Sequence, residues 1–310
     1  LAGGVCMEDF NGGELLDLFI TSYGMRDQVK LFLNDGRGGF HDATKESGLE
    51  GIVSGLNCIH ADYDNDGDVD IFVLRGAWFG KSGQHPNSLL RNDGNGRFDD
   101  VTESAGVLSY NPTQSAVWTD VNKDGYIDLF VANESSVSDR YPCELYLNQR
   151  DGTFVEAADT AGLGKLHGYF KGVAAGDIDN DGRIDVYLTN FGANQLWRNV
   201  SDASGIRFQD VTERSGTGDA RWSTSASVAD LDGDGLLDLY VANYVNFRSE
   251  DRVNYDLGSG ELVIENLPAA EGEMFIGTLT AELSDEDGNT INLEATYNAE
   301  AGMQSFEDCQ

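Results

Sequence analysis

The sequence is short of basic residues, of proline and of long apolar runs. It carries 20 Lys and Arg against 54 Asp and Glu, a formal charge of −34. Nucleic acid is therefore not expected as a partner, because binding a polyanion requires a basic surface. No apolar run approaches the roughly 18–20 residues of a membrane-spanning helix, so we expect no membrane insertion. The chain has 4 prolines but 38 glycines, and 40% of its residues are hydrophobic, which is typical of an ordered, turn-rich protein.

Cysteine is scarce as well, with 4 residues scattered along the chain. Their spacing does not match a CxxC metal or redox motif, and we expect buried thiols or one incidental disulfide. The sequence has no signal peptide and does not begin with Met, so we expect a mature form or a fragment.

Catalytic motifs are also missing from the sequence. There is no GxSxG, HExxH or P-loop pattern, each of which would indicate a particular reaction chemistry. The four histidines have no repeated relation to a Ser, Cys or carboxylate pair. We therefore expect no catalytic residues and no enzyme activity.

What the sequence does contain is a recurring acidic stretch. Residues 61–73 read ADYDNDGDVDIFV, with five aspartates followed by an alternating apolar run. The first aspartate of each copy recurs every 53 to 58 residues, a period that indicates a repeat architecture. The other copies are TDVNKDGYIDLFV from Thr119, GDIDNDGRIDVYL from Gly176, ADLDGDGLLDLYV from Ala229 and the degenerate EDFNGGELLDLFI from Glu8.

Each unit has the same predicted plan. In the unit from Gly55 to Gly106, strands at Leu56–Ala61 and Val69–Leu74 flank the acidic loop. Two more strands, at Ser88–Asn92 and Arg97–Val101, surround a Gly-rich turn. Four antiparallel strands without helices fit a blade of a β-propeller. A β-solenoid or stacked sandwiches would fit the period less well, because the strand before each loop is built from small and apolar residues, as crowding near a central axis requires.

The acidic loops predict calcium sites. Carboxylates at relative positions 0, 2, 4 and 8 would repel one another without a cation, and Ca²⁺ prefers six to eight oxygen ligands, a larger and more flexible shell than that of Mg²⁺. The side-chain ligands we predict, one loop after another, are Asp62, Asp64, Asp66 and Asp70; Asp120, Asn122, Asp124 and Asp128; Asp177, Asp179, Asp181 and Asp185; and Asp230, Asp232, Asp234 and Asp238.

Two further positions fit the same geometry. Relative position 5 is glycine in all four loops, where a sharp turn requires a positive φ. Relative position 6 varies freely, which is expected if only its backbone carbonyl binds the ion; these residues are Asp68, Tyr126, Arg183 and Leu236.

An EF-hand is the competing interpretation, and it fails. An EF-hand loop ends on an acidic ligand at its twelfth residue and continues into a helix. The twelfth residues here are apolar and belong to predicted strands. The first copy keeps Asp9, Asn11 and Asp17 but has Gly13 and Glu14 at the third-ligand and glycine positions, so we expect a weak site or none.

These motifs resemble the FG-GAP (VCBS) repeat found in the propeller of integrin α chains. The block LLRNDGNGRFDDVTESAG from Leu89 is similar to the ASPIC/UnbV-type branch, related to cartilage acidic protein. The resemblance covers about residues 1–247. It implies an all-β propeller with calcium loops between the first two strands of each blade, on an exported or cell-surface protein, without shared catalytic residues.

We expect residues 1–248 to form about five repeat units, starting near residues 3, 55, 114, 171 and 224, with the first and last units incomplete. Residues 249–310 match neither the repeat nor the ASPIC/UnbV module. They hold 15 acidic residues and one basic residue. We expect an appended β-rich segment with strands near Glu261–Leu267, Met274–Leu283 and Ile291–Tyr297.

The topology also predicts where a partner binds. Loops between the second and third strands, and connections between units, share the face opposite the acidic loops. We expect a calcium-stabilised extracellular binding or adhesion module whose protein or glycan ligand binds that face; a propeller-type carbohydrate hydrolase or lyase, or a scaffolding segment, is the alternative. The candidate residues there are Arg75–Asn87, Glu134–Pro142, Tyr169 to Lys171, Arg221 and Trp222.

Overall fold

A computed structural model of the chain describes residues 3–136 and 139–245, together with the backbone of four strands between residues 255 and 298. The described part is nearly all β. Its helical content is one 3-10 turn at Gly80–Gly83 and one short helix, α1, at Thr212–Ser215.

The first four repeat units are four-stranded antiparallel sheets whose strands pair in chain order. In the second unit the acidic loop joins β5 (Asn57–Ala61) to β6 (Asp70–Leu74), and β7 (Ser88–Asn92) and β8 (Phe98–Asp100) complete the sheet. This is the predicted blade, with boundaries that differ by a residue or two. The third unit is β9 (Thr113–Thr119), β10 (Asp128–Asn133), β11 (Glu144–Asn148) and β12 (Phe154–Glu156), and the fourth is β13 (Phe170–Gly176), β14 (Asp185–Asn190), β15 (Gln195–Asn199) and β16 (Phe208–Asp210).

The first unit corrects one expectation. The sequence predicts an incomplete first unit, yet this unit forms a full four-stranded sheet. Strand formation depends on the apolar alternation, which this unit retains, and not on the loop carboxylates. In the described residues the fifth unit has two strands. The strands of the first unit are β1 (Val5–Glu8), β2 (Asp17–Ile20), β3 (Lys30–Asn34) and β4 (Phe40–Asp42). Those of the fifth unit are β17 (Trp222–Ala229) and β18 (Asp238–Val245).

The hydrophobic core lies between consecutive units and not inside each one. One cluster joins Phe19 of the first unit to Ile71 of the second, and the next joins Phe72 of the second unit to Leu129 of the third. Comparable clusters join the third unit to the fourth and the fourth to the fifth. The first strands also adjoin in order, β1 beside β5, β5 beside β9, β9 beside β13 and β13 beside β17. Sheets stacked face to face around adjoining inner strands are the blade arrangement of a β-propeller.

A separate four-stranded antiparallel sheet occupies the C-terminal segment, near the three strands predicted there. Its strands pair in chain order, and β21 and β22 form the longest hairpin. The strands are β19 (Tyr255–Asp256), β20 (Gly260–Ile264), β21 (Ile276–Ser284) and β22 (Thr290–Asn298). The rest of residues 249–310 lies outside the described residues.

Candidate metal centre

Each acidic loop is closed by its first aspartate. In the second unit Asp62 accepts hydrogen bonds from the backbone N–H groups of Asp66 at 3.1 Å and Gly67 at 3.0 Å. Asp120, Asp177 and Asp230 accept the equivalent pairs in their own loops. These bonds turn the chain back on itself and bring the start and the middle of each loop together.

The backbone of the loop takes a left-handed conformation twice. Gly67 has φ 98°, and the equivalent glycines of the other three loops have φ between 81° and 88°, as the predicted turn requires. The residue two positions earlier also has a positive φ, although it is not always glycine: it is Asn65 at 59° and Lys123 at 60°. The signal for this second position was its residue type in the other loops, Asn65, Asn180 and Gly233, because Asn and Gly favour a positive φ.

Three of the four predicted loops bring three carboxylate oxygens within 4.8 Å of one another. This spacing suits a shared divalent cation bound by hard oxygen ligands. The third loop has an amide in place of one carboxylate, Asn122, whose Oδ1 accepts the Asp124 N–H at 3.0 Å. The three carboxylate clusters are Asp62, Asp64 and Asp66; Asp177, Asp179 and Asp185; and Asp230, Asp232 and Asp234.

The second unit's loop fits a cation best. Asp64 Oδ1 is buried and has no hydrogen-bond partner among the described residues. Burial, followed by the charges of Asp66 and Asp62, raises the pKa of Asp64. A buried carboxylate oxygen beside two other carboxylates lacks the compensation that such groups normally have. A bound dication would supply that compensation.

In the fourth unit, arginine side chains supply part of the positive charge that balances the loop carboxylates. Asp181 pairs with Arg183 and Arg198, and Arg198 also pairs with Asp179. The carboxylate cluster in this loop consists of Asp177, Asp179 and Asp185, so Arg198 pairs with one of its members, Asp179. In the third unit Arg150 Nη2 lies 3.0 Å from Asp124. Arg150 and Arg198 come from outside their loops, so the loop motif alone does not show this competition.

The aspartate at relative position 8 has a second role in the structure. Asp70 is fully buried, and its two oxygens accept the backbone N–H groups of Tyr63 at 3.3 Å and Asn92 at 2.8 Å. Burial raises its pKa to about 8, against a smaller lowering by these bonds. Asp128 and Asp185 are held in the same way, with pKa values raised by burial to about 6. These aspartates therefore tie the start of each acidic loop to the third strand.

The degenerate first loop keeps the same backbone form without the same charge. Asp9 accepts the N–H groups of Gly13 at 2.9 Å and Glu14 at 2.6 Å, and Glu14 takes a positive φ of 59° where the other loops have glycine. Asp17 is buried and accepts from Phe10 and Asn34. The loop shape thus survives where Gly13 leaves out the third ligand, and a weak site or none remains the prediction.

An asparagine outside the acidic loops joins one unit to the next. Asn92 closes the third strand of the second unit, and its side-chain amide donates to the Phe10 carbonyl of the first unit at 2.9 Å. Asn148 and Asn199 make the same bond to the units before them. The recurrence of Asn at the end of every L-x-x-N block was the available signal.

The ends of the strands remote from the acidic loops carry the residues predicted for a partner surface. Several of these residues are buried, Glu134 and Lys171 among them. Arg75 is also buried and donates to the Val53 and Pro86 carbonyls, and Phe170 is fully buried in the core between the third and fourth units. Phe170 begins β13, whereas its neighbour Tyr169 lines the same recess as Trp78.

Comparison with curated proteins finds relatives of one kind. The chain is 27% identical over 222 residues to cartilage acidic protein 1 of Mus musculus, covering 67% of this chain and 32% of that protein. It is 28% identical over 216 residues to cartilage acidic protein 1 of Homo sapiens, covering 65% and 30%. The chain thus spans about a third of the length of these relatives.

Similar solved structures include an Agrocybe aegerita lectin described as recognising non-reducing terminal N-acetylglucosamine, with 17% identity and a TM-score of 0.42 over 97% of this chain and 78% of that one. The exotype rhamnogalacturonan lyase YesX has 14% identity and a TM-score of 0.38 over 97% and 67%. Both scores are below 0.5. Among the residues that the structure describes, no helix is long and apolar enough to cross a membrane.

The FG-GAP-like repeat model matches four times, at residues 9–73, 62–131, 120–188 and 177–241. Each match starts at the first aspartate of one acidic loop and ends in the strand that follows the next loop. Together the matches span most of the 310 residues, and the chain belongs to the FG-GAP-like repeat family.

Proposed function

We propose that the chain is a calcium-stabilised binding or adhesion module that acts outside the cell. The observation that carries the proposal is the recurrence of three carboxylate oxygens within 4.8 Å in the loops of the second, fourth and fifth units. The described strands form the blade arrangement of a propeller, a rigid scaffold on which loops bind partners. The role of calcium is structural: it neutralises the acidic loops and holds the first two strands of each blade together.

The charge of the chain supports bound calcium and an extracellular setting. At −34 the protein repels itself strongly, and cations held in the loops relieve part of that repulsion. The loops are partly exposed, and in the third and fourth units arginines already pair with the carboxylates. Such sites suit the weak affinities, of order 10⁻⁴ to 10⁻³ M, of extracellular calcium modules. The relatives, named cartilage acidic protein 1, are consistent with this setting.

Thermal unfolding with and without calcium tests the proposal. Protein freed of metal by a chelator is melted with added Ca²⁺, with added Mg²⁺ and with excess chelator, and calorimetry gives the number of ions bound. We expect Ca²⁺ to raise the melting temperature in proportion to its binding, as ligand linkage requires, and Mg²⁺ to do so less. An unchanged melting temperature in millimolar Ca²⁺ would contradict the structural role.

The proposed ligand, a protein or a glycan, binds the face opposite the calcium loops, and the proposed role is binding without catalysis. Incubation of the protein with polysaccharides checks the second part. We expect no new reducing ends and no unsaturated sugar products. Release of either would replace the binding role with a hydrolase or lyase.

A further inference from the structure

Aromatic rings form a continuous row across the face opposite the acidic loops. Tyr23 and Trp78 lie 5.7 Å apart between ring centroids, and Tyr23 also stacks on Phe79 at 4.5 Å. The ammonium group of Lys171 lies 5.8 Å from the Trp78 centroid and 3.7 Å from that of Tyr169, and so links the two rings.

The row continues into the fourth and fifth units. The centroids of Tyr169 and Phe191 are 6.1 Å apart, those of Phe191 and Trp222 are 4.9 Å apart, and those of Trp222 and Tyr244 are 5.3 Å apart. Each of these residues stands at or just beyond the strand end remote from an acidic loop. We call the six residues Tyr23, Trp78, Tyr169, Phe191, Trp222 and Tyr244 the aromatic belt.

The belt is held in place by a buried ion pair and is open to solvent. Lys171 pairs with Glu134, and both side chains are at most 5% exposed. Glu134 Oε1 also accepts the Trp78 N–H at 2.9 Å, while Trp78 takes a φ of 73°. A positive φ at a bulky residue is strained and concentrates at functional positions. Trp78 remains 41% exposed, Phe191 37% and Tyr244 69%.

Polar groups stand beside the rings. A small recess of about 10 Å³ next to Trp78, with room for about one water molecule, has Ser135, Ser136, Tyr141 and Asp139 in its lining. Aromatic faces combined with a few convergent polar groups are the usual composition of a small-ligand or sugar site.

The charges around the belt narrow the class of ligand. A polyanion is disfavoured by the net charge of −34. A cationic peptide would need carboxylates to pair with, but Glu134 already pairs with Lys171, Asp139 lies 3.7 Å from Lys81, and Asp219 pairs with Arg221. An uncharged ligand with many hydroxyl groups needs neither sign of charge. It stacks its C–H faces on the rings and hydrogen-bonds to the wall of the recess.

We propose that the aromatic belt binds an uncharged oligosaccharide that extends along the row of rings. This proposal rests on the binding role proposed above and specifies its ligand. Because the belt crosses several units, a longer saccharide contacts more rings than a short one. Affinity therefore increases with chain length until the belt is covered.

Titration of the whole calcium-loaded chain with defined probes tests the proposal. The probes are uncharged hexasaccharides of the gluco, manno and N-acetylglucosamine series, their disaccharides, an anionic hexagalacturonate and a hexaarginine peptide. Tryptophan fluorescence and saturation-transfer NMR report binding. We expect at least one uncharged hexasaccharide to bind, and to bind more tightly than its disaccharide.

Variants locate the site. Trp78→Ala and Tyr244→Ala are each expected to weaken that binding about tenfold or more, as loss of an aromatic anchor does. Phe40→Ala is the matched control, because Phe40 is a 49% exposed ring on β4, outside the belt. Melting temperatures establish folding, and the highly exposed Tyr244 keeps the test valid if Trp78→Ala does not fold.

The outcomes separate this proposal from the one on which it rests. Absence of binding by every uncharged hexasaccharide, or equal affinities in the parent and both belt variants, overturns the oligosaccharide assignment. Belt-dependent binding of hexaarginine or hexagalacturonate alone also overturns it, but leaves the binding role intact. Calcium binding and stabilisation are measured without any saccharide, so their failure is seen independently.

Discussion

The side-chain amide of Asn148 donates a hydrogen bond of 2.7 Å to the backbone carbonyl of Tyr63, 85 residues earlier in the chain. Asn148 closes the third strand of the third unit, and Tyr63 lies in the acidic loop of the second. The backbone N–H of Asn148 also donates to Asp128 at 2.9 Å. One residue therefore holds its own acidic loop and the loop of the preceding unit. In a repeat protein, such nearest-neighbour bonds make the stability of one unit depend on the next.

Replacing this asparagine is expected to weaken the junction between the units. Asn148→Ala leaves the Tyr63 carbonyl without its partner in a buried position, which costs about 1–3 kcal/mol of unfolding free energy. Chemical denaturation measures the loss. Asn34→Ala is the matched control, since Asn34 donates to the Leu16 carbonyl of its own unit at an exposed position. Equal losses in the two variants would contradict the junction role.

Asp70 is expected to stabilise the protein even without calcium. Asp70→Ala removes the acceptor of two backbone N–H groups, those of Tyr63 and Asn92, at a cost of about 1–3 kcal/mol each. Denaturation in excess chelator measures this cost in isolation from metal binding. Asp238→Ala, at the same loop position but with one such bond among the described residues, at an exposed site, is expected to lose less. If Asp70→Ala causes no loss of stability in excess chelator, Asp70 acts only as a metal ligand.

Removing one ligand is expected to remove one ion. Asp64 supplies the buried oxygen that lacks a protein partner in the second unit's loop, so Asp64→Ala is expected to lower the calcium stoichiometry by one ion per chain. Calorimetric titration and elemental analysis measure it. Asn11→Ala, at the same position of the degenerate first loop, serves as the control and is expected to change nothing. An unchanged stoichiometry in Asp64→Ala would contradict a site in the second loop.

The stability of the protein is expected to depend on Glu134, the acid of the buried ion pair with Lys171 beneath the belt. Glu134→Gln leaves the Lys171 charge buried and uncompensated, which costs about 3–5 kcal/mol. The double variant Glu134→Gln with Lys171→Met is expected to recover most of that loss, because neither charge remains. Destabilisation by the double variant as large as that by Glu134→Gln would show that the charges are not the cause.

The same variant has an expected pH dependence. Burial lowers the pKa of Lys171 below its ordinary value of 10.5, and pairing with Glu134 opposes that shift. Without Glu134, the unfolded chain holds the lysine proton more tightly than the folded one, so stability rises with pH up to the ordinary lysine pKa. The deficit of Glu134→Gln is therefore expected to shrink between about pH 7 and pH 10, measured by denaturation against the parent. A constant deficit would contradict the lysine charge as its source.

Much of the fold was predictable because its determinants are local. The five acidic loops, the strand on each side of them and the hairpin of the third and fourth strands follow from short patterns such as those of residues 61–73 and Leu89–Gly106. The glycine at relative position 5 predicted a positive φ, which the structure has at Gly67 and its equivalents. The prediction of an incomplete first unit was wrong: its four strands form a full sheet although Gly13 stands in place of the third ligand.

The features that escaped prediction depend on segments far apart in the chain. Arg198 reaches Asp179 and Asp181 from the third strand, and the Asp64 oxygen is left without a partner only once the sheets have packed. The aromatic belt gathers rings from four different units. In each case the residues that meet are far apart in the sequence, so no short sequence pattern predicts their contact.

The sequence by itself determined the repeat, the acidic turns and the strands that they connect, because backbone turn chemistry and apolar alternation act over a few residues. Only the tertiary structure decided which carboxylates remain available to a cation, which asparagine joins two units and which rings share one face. Those outcomes depend on the packing of one unit against the next, where burial decides which polar group has a partner and which does not.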